Sequence, residues 1–180
     1  MKNWFKALRA LILKDFLQEW HSRDILTAML AFAVLALFIF NYALELTPAL
    51  RAELAAGIIW VVLLFAGTLG LNRSFLAEQD QGCFDALLMG VPDLSVIYVS
   101  KFIVNWLSMT VLTLLVLPLY ALLYNQPVLN LPLFGALMLA AWGYSAAGTL
   151  IAGMSIQTRT RDLLLPILLF PVLMPVNMAI

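Results

Sequence analysis

Charge is what this sequence has least of. Asp, Glu, Lys and Arg make up 11% of its 180 residues, against about 25% in a soluble domain. The ten basic and ten acidic residues cancel, so no net positive field is left to attract a nucleic acid. A single cysteine excludes an internal disulfide. There is no GxxxxGK(S/T) phosphate loop, so a nucleotide held by that device must sit on another polypeptide. What remains is apolar: 64% of the residues are hydrophobic, which places the chain among membrane proteins.

The apolar residues fall into five runs, approximately 25–44, 54–71, 102–123, 133–156 and 163–180. Each is close to the ~20 residues a helix needs to cross ~30 Å of hydrocarbon. None contains Asp, Glu, Lys, Arg or His. Backbone groups in a water-free core must be satisfied within the segment, so the runs are expected to be helices. The fold class is therefore an all-α, polytopic helical bundle, with one transmembrane domain over 1–180. The empty spans also bear on energetics. Ion-coupled carriers keep ionisable groups inside the membrane, so any transport here would draw its energy from outside the bilayer.

The few charges give an orientation. Lys2, Lys6, Arg9, Lys14, Arg23, Arg73, Lys101, Arg159 and Arg161 fall on one side, and Arg51 alone on the other. The positive-inside rule puts the N-terminus and the 72–101 and 157–162 loops in the cytoplasm. Ahead of the first span, 2–22 reads as an amphipathic helix. Trp4, Phe5, Leu8, Leu11, Ile12, Phe16 and Trp20 recur at helical spacing, while Lys2, Lys6, Arg9, Lys14 and Glu19 avoid that face. Such a helix is expected to lie on the lipid bilayer, either as a simple anchor or as an elbow leading into the first span.

The long polar interruption, 72–100, is the segment best placed to meet a soluble partner. Leu71 to Gln81 fits a helical extension of the second span, and Gly82 suits its stop. Phe84, Leu87, Leu88 and Val91 then mark a short apolar stripe with Asp85 opposite, ended by Gly90 and Pro92. This stripe admits two readings: a helix packed on the bilayer or under the bundle, or one seated in a partner's groove. Glu78, Asp80, Asp85 and Asp93 outnumber Arg73 and Lys101 there, a balance unsuited to anionic lipid alone.

Two spans carry further signals. The fourth is rich in small residues, with Gly148 and Ala152 at small-xxx-small spacing, which serves packing inside the subunit or a homodimer seam. The fifth carries Pro166, Pro171 and Pro175, which read as static kinks or as a hinge lining a path. His21 and Cys83 lack spaced partners, so no metal or haem site is assigned to them. Tyr42, Trp60, Trp106 and Tyr124 read as interface anchors near span ends.

The run R-x-F-x-x-E-x-x-x-G-x-x-D-x-L-L, formed by Arg73, Phe75, Glu78, Gly82, Asp85, Leu87 and Leu88 and followed by Lys101, resembles the haem exporter protein B family of cytochrome c maturation. RTRDLLLPILLFPVLMPV at 159–176 and AGIIWV at 56–61 are similar to other parts of that family. The resemblance spans nearly the whole chain. It implies the permease subunit of a type-2 ATP-binding-cassette exporter in the cell inner membrane. It also implies six spans, where five are visible here, and a coupling helix at 82–90. ATP would be hydrolysed in a separate ATPase subunit, and a companion membrane subunit would handle haem, the possible substrate of the complex. The chain itself would be no enzyme and would bind no cofactor directly. On this reading Arg73, Phe75, Glu78, Gly82, Phe84, Asp85, Leu87 and Leu88 serve ATPase coupling. Pro92 falls about one position later than the family's usual proline. Two rivals stay open: a type-2 permease for a drug, lipid or polysaccharide, and a non-transporting scaffold of a haem-handling complex.

Overall fold

The computed structural model describes residues 2–43, 48–80, 93–125 and 131–155. Among these the chain is all helix: α1 (Lys2–Ser22), α2 (Asp24–Ala43), α3 (Pro48–Asp80), α4 (Leu94–Tyr124) and α5 (Leu131–Ser155). Four stretches are long and apolar enough to cross a membrane: Asp24–Ala43, Leu54–Phe75, Ser95–Tyr124 and Pro132–Met154. The chain is thus a multi-pass helical membrane protein. The fifth expected span, 163–180, lies outside the described residues.

α3 is the axis of the bundle, with α2, α4 and α5 packed on it. Its 33 residues extend about 50 Å, well beyond the ~30 Å of hydrocarbon. α3 thus runs on as a helix past the apolar stretch Leu54–Phe75, to Asp80. Close packing on α3 depends on glycines. A Cβ on Gly67 would stand 2.8 Å from both Met109 Sδ and Tyr144 Cε1, and one on Gly70 would fall onto the Met29 sulfur. A Cβ on Gly148 of α5 would stand 2.5 Å from Leu71 Cδ1. Small residues let backbones approach where no hydrophobic effect pulls helices together. Gly148 is used in this way, inside the chain, and Ala152 is buried.

Three threonines within the spans are satisfied inside their own helices. Thr68, Thr110 and Thr113 donate to the carbonyls of Leu64, Trp106 and Met109 at 2.8, 2.9 and 2.8 Å, the back-bonding open to hydroxyls in helices. Other polar groups tie helices together. Tyr124 OH donates to Leu37 O at 3.2 Å, joining α4 to α2, and its ring stacks on Tyr120 at 4.2 Å.

Three expectations need correction. Trp60 and Tyr124 are core residues, 2% and 1% exposed, rather than interface anchors; position along a span does not reveal which way a ring points. Tyr42, 78% exposed, keeps its outward position. The helix that holds the third apolar run begins at Leu94, ahead of the run's start near 102. Asp93 caps the helix, its carboxylate accepting from Ser95 N at 3.2 Å, and the helix runs straight through Lys101. Finally, α1 does more than lie on lipid. It packs along α4, and two of its acids, Asp15 and Glu19, are buried.

Candidate functional site

A charged junction forms where α1, the far end of α3 and the first turns of α4 meet. Lys101 lies about two turns into α4 and is 4% exposed. A buried ammonium needs a compensating charge and oxygen acceptors. Lys101 has both: Nζ is 3.1 Å from Asp15 Oδ2 on α1 and donates to Ser74 O on α3 at 3.2 Å. The same nitrogen lies 5.7 Å from the centre of the Phe75 ring, within cation–π range. Lys14 Nζ approaches the other Asp15 oxygen at 3.5 Å. A second tie runs from Trp4 Nε1 to Ser95 Oγ at 3.2 Å.

The α1–α2 elbow is also held by a carboxylate. Glu19 Oε1 accepts from Leu26 N at 2.8 Å, at the start of α2, where helix amide groups lack partners of their own. Burial raises the Glu19 pKa above its ordinary value, and Asp24 adds to the rise; the amide bonds from Leu26 and Ile25 oppose it. Between the helices stands one residue, Arg23, at φ 54°. Its amide donates to Glu19 O at 2.7 Å, and its carbonyl accepts from Thr27 N at 2.9 Å.

The residues expected to serve coupling divide sharply. Arg73 is exposed on the last turns of α3. Phe75 is 5% exposed and faces inward under Lys101. Glu78 belongs to α3. Gly82, Phe84, Asp85, Leu87 and Leu88 lie outside the described residues, as do Pro166, Pro171 and Pro175. The two ends that bracket 81–92 are nevertheless described, and Lys101 connects them through Ser74 and Phe75. No group of three or more His, Cys, Asp or Glu able to hold a metal occurs among the described residues. His21 Nδ1 lies 3.1 Å from Leu17 O.

Asp15 and the structural role of Lys101 escape the sequence reading. The signal was present in part. Asp15 sits on the stripe that holds Trp4, Leu8, Leu11 and Ile12, where a buried acid calls for a cation. Which cation answers it depends on helix packing.

The family described as CcmB protein matches residues 6–179. The chain belongs to the CcmB family. Relatives carry the name Heme exporter protein B. That of Rhodobacter capsulatus is 26% identical over 93% of this chain and 78% of its own length. That of Pseudomonas aeruginosa is 26% identical over 82% of this chain and 66% of its own length. That of Escherichia coli K12 is 31% identical over 54% of this chain and 43% of its own length. The chain thus spans under two thirds of the latter two relatives. No solved structure matches it.

Proposed function

We propose that this chain is the permease subunit of an ATP-binding-cassette complex that acts in haem delivery for cytochrome c maturation. The observation that carries the reading is family membership over residues 6–179, whose relatives are named haem exporters. The chain is a partner for an ATPase subunit that binds and hydrolyses ATP, and for a membrane companion that handles haem. It holds no cofactor itself, and haem is a substrate of the complex. It lies in the cell inner membrane with its N-terminus in the cytoplasm, as the distribution of basic residues favours.

Coupling runs through 82–90. ATP-driven closure of the ATPase moves this segment, with Phe84, Leu87 and Leu88 as docking anchors and Glu78 and Asp85 as charged partners. The junction at Lys101 supports this reading, because a push on either end of the loop reaches α1, α3 and α4 together. The test is to purify the complex from membranes and identify its subunits. The double substitution Leu87→Asp, Leu88→Asp is expected to leave the chain in the membrane and abolish co-purification of the ATPase. Full co-purification overturns the docking assignment. Identification of a drug- or polysaccharide-handling partner overturns the haem reading.

A further inference from the structure

One to two turns beyond Lys101 on α4, a small cleft opens inside the bundle, its wall more apolar than polar. Asn105 and Ser108 of α4 and Ser145 of α5 line it, with Gly67 and Gly70 of α3 forming the back wall. Asn105 Nδ2 donates to Thr149 Oγ1 at 3.1 Å, so α4 and α5 are already tied at one edge. Ser145 is different. Its side chain is 0% exposed, and its hydroxyl has no hydrogen-bond partner among the described residues. A buried hydroxyl without a partner is costly, and more so in a span that no bulk water reaches. The cleft beside it has a volume of about 10 Å³. That is close to the ~10–15 Å³ one water needs, and a water also needs two to four polar neighbours.

We infer that this cleft is a binding site for a single ordered water, held by Ser145 Oγ together with Asn105 and Ser108. The water bridges α4 and α5 behind α3, within the membrane span. Its size admits water and excludes a macrocycle or lipid headgroup. Glycine at 67 and 70 is part of the site: side chains there would fill the wall against Met109, Tyr144 and Met29. Asn105 lies one turn along α4 from Lys101, so the wet cleft continues the polar side of the charged junction inward.

A dry and a wet cleft predict opposite signs. With a water bound, Ser145→Ala removes one of its holders, and Ser145→Val also expels it and strands Asn105 and Ser108. The apparent Tm of the purified full-length protein, in its complex, is then expected to fall by about 2–4 °C for Ser145→Ala and by more for Ser145→Val. With a dry cleft both substitutions remove a stranded hydroxyl, and Tm stays or rises; that result overturns the inference. If a variant fails to accumulate, the unmodified protein supplies the second measurement. A structure at a resolution that shows waters is expected to place a density peak within hydrogen-bond distance of Ser145 Oγ and Asn105. An empty cleft, or Ser145 turned to a backbone carbonyl of its own helix, overturns it.

Discussion

Lys101 Nζ and Asp15 Oδ2 stand 3.1 Å apart, with the two side chains 5% and 7% exposed. The pair joins a helix that precedes the first span to the helix that opens the third. Two buried charges hold each other in place here, and each is left exposed to a desolvation cost when the other is removed. The pair also brings Ser74 and Phe75 of α3 into the same cluster.

Asp15→Asn is expected to destabilise the protein by about 3–5 kcal/mol, because it strands the Lys101 ammonium; Lys101→Met is expected to cost less, because Lys14 Nζ stays 3.5 Å from Asp15. Asp15→Leu combined with Lys101→Met removes both charges and is expected to recover most of that loss. Thermal melts of the purified protein read the effect. Silent single substitutions would show that water reaches the pair. If the junction serves coupling, the doubly neutral variant restores stability but not ATP-dependent activity of the complex.

Gly148→Val is expected to cost about 1–3 kcal/mol by overpacking, since even a Cβ there stands 2.5 Å from Leu71 Cδ1. Adding Leu71→Ala makes room and is expected to restore part of the stability. A homodimer seam at Gly148 predicts another outcome: loss of self-association in cross-linking, with no rescue from Leu71→Ala.

Glu19 gives a pH dependence with a definite sign. Its folded-state pKa is raised above 4.5 by burial first and Asp24 second. The folded protein therefore binds the proton more tightly than the unfolded chain. The cost of the buried carboxylate is fully present above the folded pKa and is relieved as pH falls towards 4.5. Glu19→Gln keeps an acceptor for Leu26 N and removes the titration. Its stability relative to the unsubstituted protein is expected to be greatest at neutral pH and to fade as pH drops through that window. A difference that is flat with pH contradicts this account.

Arg23→Pro is expected to be severe. Proline cannot adopt φ 54°, and it removes the amide that bonds Glu19 O. Arg23→Gly removes the strain of a left-handed backbone, about 1–2 kcal/mol, but loses whatever the arginine side chain contributes. Protein yield in membranes and protease sensitivity at the elbow distinguish the two: Arg23→Pro is expected to lower the first and raise the second, and Arg23→Gly to do neither. Equal behaviour of the two variants would show that the elbow backbone is not constrained.

Much of the architecture was legible in the sequence. Hydrocarbon imposes length, apolarity and helical backbone on a span, so four helices hold the first four runs, the third starting at Leu94, ahead of its run. The extension of α3 to Asp80 was legible for the same kind of reason: nothing before Gly82 stops a helix. Side-chain direction was not. Trp60 and Tyr124 turned out to be core, and Phe75 turned inward, because period and position leave rotation about the helix axis open until neighbours pack.

The amphipathic helix at 2–22 marks that boundary most clearly. Its sequence alone determined that it is helical, that it precedes the first span, and that its cations and aromatics suit a membrane surface. Only the tertiary structure decided that Asp15 and Glu19 face the protein, one meeting Lys101 and the other the start of α2. Local spacing fixes which residues share a face. A buried charge is tolerated or not according to a partner far along the chain, and that partner exists only once the helices have packed.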